Sequence, residues 1–332
     1  MSGLTFDTDK KVIVGVGSAL VDMLAREEDA FLEKLGVEKG GMNLVESDYI
    51  EELVVQIDTP PSIVPGGSAC NTAVGVGMLG GKARFVGKLG QDQLGEMYRD
   101  ALKENNVEPV LFTSDLPTGR VLSVITPDAQ RSMFTYLGAA SELQPEELTP
   151  SCFDHAAIVH VEGYLLFNRE LMMATIKAAK SAGALVSLDL ASFNVVEESK
   201  DLLNQIIAGY IDILIANEDE ALAYTGHKDE SRALEVLSEH VKVAVLKVGR
   251  RGSVVSCGGT YTKIDPMECP NAVDTTGAGD LWAAGFLFGL VQGYSFEKSG
   301  ELASACGAHV CQVVGASIPE AGWEEIRRLI QT

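Results

Sequence analysis

The stretch Asp274-Thr275-Thr276-Gly277-Ala278-Gly279-Asp280 combines two ingredients of group-transfer chemistry. Gly277 and Gly279 let the backbone turn tightly into the apolar run 281–290, which reads as a buried helix. A helix start leaves N–H groups unpaired at the positive end of the peptide dipole, so it attracts an anion. Asp280 falls in the first turn, where the same field is expected to hold it ionised. Amides that steady a moving phosphoryl group, beside a carboxylate that takes a hydroxyl proton, suit phosphoryl transfer to an alcohol. The plainer reading is a capped loop with Asp280 as a favourable early-helix charge, and on this stretch alone the two stand level.

Other residue types with chemical potential recur at the ends of apolar runs. The β-branched run 11–16 reads as a buried strand that delivers Ser18 and Asp22 to its carboxyl end, where α/β sheets bind ligands. In Pro65-Gly66-Gly67-Ser68-Ala69-Cys70-Asn71, paired glycines allow close backbone approach to a ligand. Ser68 can cap the next helix, and Asn71 one turn later can reach a hydroxyl. Glu162 ends another apolar run, with Tyr164 and Phe167 nearby, free either to stack on a ring or simply to pack. Asn217 and Glu220 lie three apart on one helix face, a spacing that also makes a helix cap. Lys247, Gly249 and Gly252 follow a further strand; the glycines fit approach to a nucleotide, and Lys247 adds positive charge.

The elements that must carry these residues alternate. Runs 156–161, 184–188, 211–215 and 243–248 have strand length, and helix-like stretches 169–181, 197–209, 217–225 and 229–240 separate them. This is the spacing of βαβ units in a mostly parallel sheet. Residues 120–126 and 131–137 turn through Pro127-Asp128-Ala129-Gln130 as a hairpin. With segments about 18–26 and 40–46, the region 118–137 is expected to make a small β-sheet lid over the site. Residues 1–332 are expected to form a single domain. Gly75-x-Gly77-x-x-Gly80 matches a dinucleotide fingerprint but sits late in a helical run, and Gly80-Gly81-Lys82-Ala83 lacks the hydroxyl of a phosphate loop. The former glycines are better read as permitting tight packing of helix on sheet, and the latter is no phosphate loop.

Asp274 to Asp280 resembles the C-terminal signature of the ribokinase/PfkB family of sugar and nucleoside kinases. The Gly66-Gly67 segment and Asn217-Glu218-Asp219-Glu220 resemble two more of its motifs in the same order. The resemblance covers nearly the whole chain. It implies an α/β fold of three layers, α/β/α, with a small sheet as lid, and an ATP- and Mg²⁺-dependent kinase. Asp280 would be the base and Gly277, Ala278 and Gly279 the anion hole. Asp22, Ser18, Gly66, Gly67, Ser68, Asn71 and Glu162 would meet the acceptor. Asn217 and Glu220 would hold Mg²⁺ through water, and Lys247, Gly249, Gly252 and Ser304 would border the nucleotide. Arg131 at the hairpin tip resembles the lid arginine of adenosine kinases that approaches the transferring phosphate. The loop 315–319 resembles one that, with Asp274 and Thr276, binds a monovalent cation such as K⁺ in some members. Residues 43–47, 127–140 and 217–221 resemble the adenosine-kinase branch, whereas Glu162 and an aromatic content of 6% pull towards a plain sugar such as ribose, fructose or 2-keto-3-deoxygluconate. From other classes, a NAD-dependent oxidoreductase and a catalytically silent nucleotide-binding regulator remain as rivals.

Bulk properties narrow the partners. The chain has 332 residues and a formal charge of −21, which argues against nucleic acid and anionic membranes. The same charge opposes an anionic substrate, so Mg²⁺ and local basic groups must reverse the field at the site. Six cysteines without zinc spacing read as reduced thiols, and the polar residues 1–10 do not read as a signal peptide, so the expected location is the cytoplasm. The oligomeric state, monomer or homodimer, is not legible.

Overall fold

The computed structural model describes residues 4, 9–37, 39, 41–57, 59–128 and 130–330. Gly40 and Ala129, which the sequence places at turns of the small sheet, and most of the polar start lie outside the described residues. In chain order the strands are β1 (Val12–Val16), β2 (Leu20–Arg26), β3 (Met42–Leu44), β4 (Ser62–Gly66), β5 (Lys82–Gly90), β6 (Val107–Ser114) and β7 (Gly119–Ile125). They continue as β8 (Arg131–Tyr136), β9 (Ala156–Glu162), β10 (Leu185–Asp189), β11 (Ile213–Asn217), β12 (Val243–Lys247), β13 (Ser253–Cys257) and β14 (Thr260–Ile264).

The large sheet has the order β14-β13-β12-β11-β10-β9-β1-β5-β6. It is parallel from β12 to β6, and antiparallel β13 and β14 finish one edge. All five residues of β1 and all seven of β9 are buried, as expected for strands covered on both faces. Alternation divides their side chains between two cores. Ile13, Phe85, Ile158 and Ile213 face the helices Ser68–Met78, Ala278–Gln292 and Phe296–Val310. Val14, Val86, Val159 and Leu214 face the helices Arg169–Ser181, Lys200–Gly209 and Glu230–Ser238. The result is the three-layer α/β/α fold.

The helix Ala278–Gln292 is apolar all round because helices flank it, and residues 281–290 are all buried. Gly285 lies against the backbone of the helix Phe296–Val310, where an added Cβ would stand 2.7 Å from the Cα of Ala303. Gly285→Ala is therefore expected to destabilise the protein by about 1–3 kcal/mol despite alanine's better helix propensity. A shifted urea midpoint at unchanged slope would register this, and an unchanged midpoint would refute it.

Gly75 sits inside the helix Ser68–Met78, where a Cβ would meet that of Ala284 at 2.6 Å. The packing it permits is helix on helix, not the helix on sheet that the sequence suggests. A glycine buried there cannot approach a dinucleotide, which removes the main support for the oxidoreductase reading.

The second sheet has five strands in the order β3-β8-β7-β2-β4. One face packs Leu122, Val124 and Phe134 onto Leu32, Ile50 and Leu53 of two short helices. Asp22 and Val121, register partners, point to the other face. β4 is an addition: its Pro65 and Gly66 read as a turn in sequence. Among the described residues no helix is long and apolar enough to cross a membrane.

Candidate active site

The DTTGAGD stretch enters its helix through Gly277, whose φ of 73° is left-handed and whose missing Cβ would stand 2.6 Å from that of Ala316. Conformation and space both require glycine here. The amides of Gly277, Gly279 and Asp280 have no partner among the described residues. The Ala278 amide instead donates to the Thr275 carbonyl at 3.1 Å. Of the three amides that the sequence offers to an anion, Gly277 and Gly279 are thus without a partner among the described residues and Ala278 is engaged, while the Asp280 amide is a further one without a partner.

The Asp280 carboxylate accepts hydrogen bonds from Ser68 Oγ at 2.7 Å and Asn71 Nδ2 at 2.9 Å, while Thr72 Oγ1 donates to its carbonyl at 3.1 Å. The helix field alone was expected to keep Asp280 ionised. Burial instead pushes its pKa up, and the donors Asn71 and Ser68 pull it back. Ser68 is not a cap; Gly67 occupies the cap position and Ser68 points at Asp280. Ser68→Ala is expected to raise the Asp280 pKa, since a donor to the charged form is lost. The acid limb of kcat/KM then moves to higher pH, with the loss confined to the acid side of the profile. An unshifted limb would separate Ser68 from the base.

Asp22 reaches the same cleft from the small sheet. Its carboxylate is buried with no hydrogen-bond partner among the described residues. Burial lifts its pKa to about 6, Arg131 opposes this, and Asp280 and Asp274 add to it. The bare Gly66 backbone gives the carboxylate room. Arg131 crosses from the tip of β8 and donates to Thr276 Oγ1 at 2.8 Å. Thr276 in turn donates to Asp274 through its hydroxyl at 2.7 Å and its amide at 2.9 Å, while the Gly315 amide donates to the other Asp274 oxygen at 2.8 Å. The side chains expected to ligate a monovalent cation are therefore engaged in pinning two loops together.

Glu162 is corrected as an acceptor ligand. It is 1% exposed and accepts from the amides of Ser18 at 2.8 Å and Ala69 at 3.1 Å. Burial raises its pKa to about 7, and the Ser18 and Ala69 amides counter this. Ser18 meets Glu162 through its backbone, and Glu162 thereby fixes the start of the helix that carries Ser68 and Asn71.

Asn217 and Glu220 form a closed capping box, with the Asn217 amide and Nδ2 donating to Glu220 at 2.8 and 2.7 Å. Glu220 is pushed to about 7 by burial and by the charge of Asp189. No group of three or more His, Cys, Asp or Glu is placed to hold a metal among the described residues. The occupied Glu220 oxygens fit Mg²⁺ held through water and delivered with the phosphates, not direct ligation. Gly249, with φ 53°, has nothing but the Glu218 carboxylate near its absent side chain and stays open to a ligand. Gly252 is wedged under the end of β14 and serves the turn. Ser304 is buried and donates to the Asp265 carbonyl at 3.2 Å, so its hydroxyl braces the 265–276 loop. Lys247 pairs with Asp189 at 2.8 Å. Asp189 is the last residue of β10, and Tyr164, free by sequence either to stack or to pack, packs against the second core.

This constellation has relatives. The pattern of the pfkB family of carbohydrate kinases matches residues 44–321. The chain belongs to the pfkB family. An adenosine kinase from Sinorhizobium meliloti is 34% identical in a superposition with TM-score 0.88, covering 97% of this chain and 99% of that one. A probable sugar kinase from Rhizobium etli CFN 42 gives 32% and 0.90, covering 98% and 100%. Probable fructokinase-4 of Arabidopsis thaliana is 30% identical over 82% of this chain and 90% of its own. The protein is thus an ATP-dependent carbohydrate or nucleoside kinase of the pfkB type.

Proposed function

We propose that this pfkB kinase phosphorylates the primary hydroxyl of a ribonucleoside, as an adenosine kinase does. The observation that carries the acceptor class is the apolar surface around Asp22. Leu20 is two residues away on the same strand face, Val121 is its register partner, and Ala140, Met133 and Leu137 pack with them. A carboxylate beside such a shelf suits a ribose with a flat ring attached; a free sugar needs polar partners on every side. Thr135, opposite Val121, adds a buried hydroxyl without a partner among the described residues that a ring nitrogen or amine can use. With Glu162 spent on two amides, the residue that pulled towards plain sugars no longer does so.

In the proposed reaction Asp22 accepts hydrogen bonds from the ribose hydroxyls and fixes the acceptor. Asp280 takes the proton of the attacking hydroxyl. The bond from that oxygen to the terminal phosphorus forms as the bond to the leaving ADP oxygen breaks, in line. The amides of Gly277, Gly279 and Asp280, with Arg131 from the opposite side, hold the charge of the moving group. Mg²⁺, when bound, neutralises and orients the phosphates. We place no K⁺ step here, because Asp274 already accepts three hydrogen bonds. Enclosure by the small sheet, acting as a lid of residues about 18–26, 40–46, 62–66 and 118–137, would keep water from the terminal phosphate.

A coupled ADP-release screen of adenosine, other nucleosides, ribose, fructose and 2-keto-3-deoxygluconate tests the reading. Turnover confined to adenosine or close nucleosides is expected. Turnover on a free sugar alone would move the protein to the sugar-kinase branch, and tight ATP binding without turnover would favour the regulator.

A further inference from the structure

The carboxyl ends of β10, β11 and β12 carry a device that the reaction above does not use. Lys247, the last residue of β12, forms its ion pair with Asp189 on β10, not with a neighbour on β11. Its side chain therefore passes over the end of β11, where Asn217 is its own register partner. Two strand spacings separate the backbones, about 9–10 Å, so the lysine is extended across the sheet edge. Its path ends beside the helix start: an added Cβ on Gly279 would stand 3.1 Å from the Lys247 ammonium. Both partners are largely buried, with side-chain exposures of 14% and 9%.

The geometry points to Lys247 as a catalytic cation of the phosphoryl hole, parked on Asp189 until a nucleoside triphosphate arrives, with Asp189 as its positioning residue. The inference rests on the kinase reading and names a group within it. An anion seated on the Gly277 and Gly279 amides would lie next to the ammonium. The lysine would then donate to an oxygen of the terminal phosphoryl group while Asp189 keeps it from swinging outward. It keeps its proton throughout. Burial alone would strip that proton, but Asp189 and Glu220 outweigh burial and hold its pKa above the usual lysine range. The arrangement also answers the charge problem of so acidic a chain: of the cations acting on this cluster of acids, Arg131 comes from the small sheet and Lys247 from the large one. Asp189 itself stays below the ordinary aspartate range, because the lysine overcomes the opposing effect of burial.

Calorimetric titration with ATP and with ADP, alongside turnover, distinguishes this role from a merely structural ion pair. Lys247→Met is expected to weaken ATP about tenfold, leave ADP unchanged and cut kcat about 100-fold, with Lys247→Arg recovering part of both. Because the single change strands a buried carboxylate, the deciding protein is Lys247→Met with Asp189→Asn, which removes both charges. If the pair only braces the sheet, this double variant returns to wild-type ATP affinity and rate, and the inference fails. If the lysine acts on the phosphate, the double variant folds and stays as slow as Lys247→Met. Asp189→Asn alone should bind ATP at least as tightly as wild type, since a competitor for the ammonium is gone, yet turn over about tenfold more slowly; a parallel loss of both would overturn the positioning role. Wild-type protein that binds neither nucleotide would instead overturn the kinase reading, and this inference with it.

Discussion

Asp280→Asn is expected to bind ATP almost as wild type does and to lose about 10³-fold in turnover, roughly 4 kcal/mol of barrier. The two side chains have nearly the same shape, so the helix start and the amides of Gly277 and Gly279 should survive. Two things change. The amide cannot accept the acceptor's proton, and its own NH₂ group meets the donors of Asn71 and Ser68 that now face a carboxylate. The loss should fall on kcat and kcat/KM alike, because the interaction belongs to the transition state. Single-turnover kinetics beside calorimetric ATP binding would measure it. A rate within a few-fold of wild type would remove Asp280 as the base.

Arg131→Ala should cost about 10³-fold in kcat, the lower end of what an arginine supplies to a transferring phosphoryl group. The side chain crosses from β8 to Thr276, so its removal cuts a direct link between the small sheet and the phosphate loop. A second signature follows from electrostatics. Arg131 holds the Asp22 pKa down against burial, so its loss moves that pKa above about 6. The ionised fraction of Asp22 then falls at mildly acid pH and not at alkaline pH. Acceptor KM should accordingly rise near pH 6 and match wild type above pH 8. A change in acceptor affinity at every pH with kcat intact would contradict a role at the phosphate.

The sequence revealed the helix starts that hold Asp280 and Asn217 because their signals are local. Two glycines before an apolar run can only be a tight entry into a buried helix, and the acids beside Asn217 can only lie in a first turn. What it concealed depends on the third dimension. Glu162 looked like any strand-end carboxylate; that it bonds the amides of Ser18 and Ala69, far apart in the chain, follows from β9 lying next to β1. Ser68 suits a cap by residue type and is instead a partner of Asp280, because the helix Ser68–Met78 packs on Ala278–Gln292. Strands β4 and β6 escaped for one shared reason. Each contains a proline, Pro65 or Pro109, which ordinarily argues against a strand, and each lies at the margin of its sheet, where a missing N–H is tolerated. Strand β14 also went unread, although Gly258-Gly259 after β13 is a hairpin signal, because its residues TYTKI are mostly polar and exposed.

The small sheet is joined to the body by four separate passages of chain, at 17–19, 67, 115–118 and 137. A flap on one tether can swing, twist and slide. A plate standing on four legs can only rock as a unit, and each leg must bend together with the other three. Asp22 and Arg131 ride on the same plate, so under the reaction proposed above the grip on the acceptor and the reach towards the phosphate would advance in step, and a half-seated acceptor would leave both out of range.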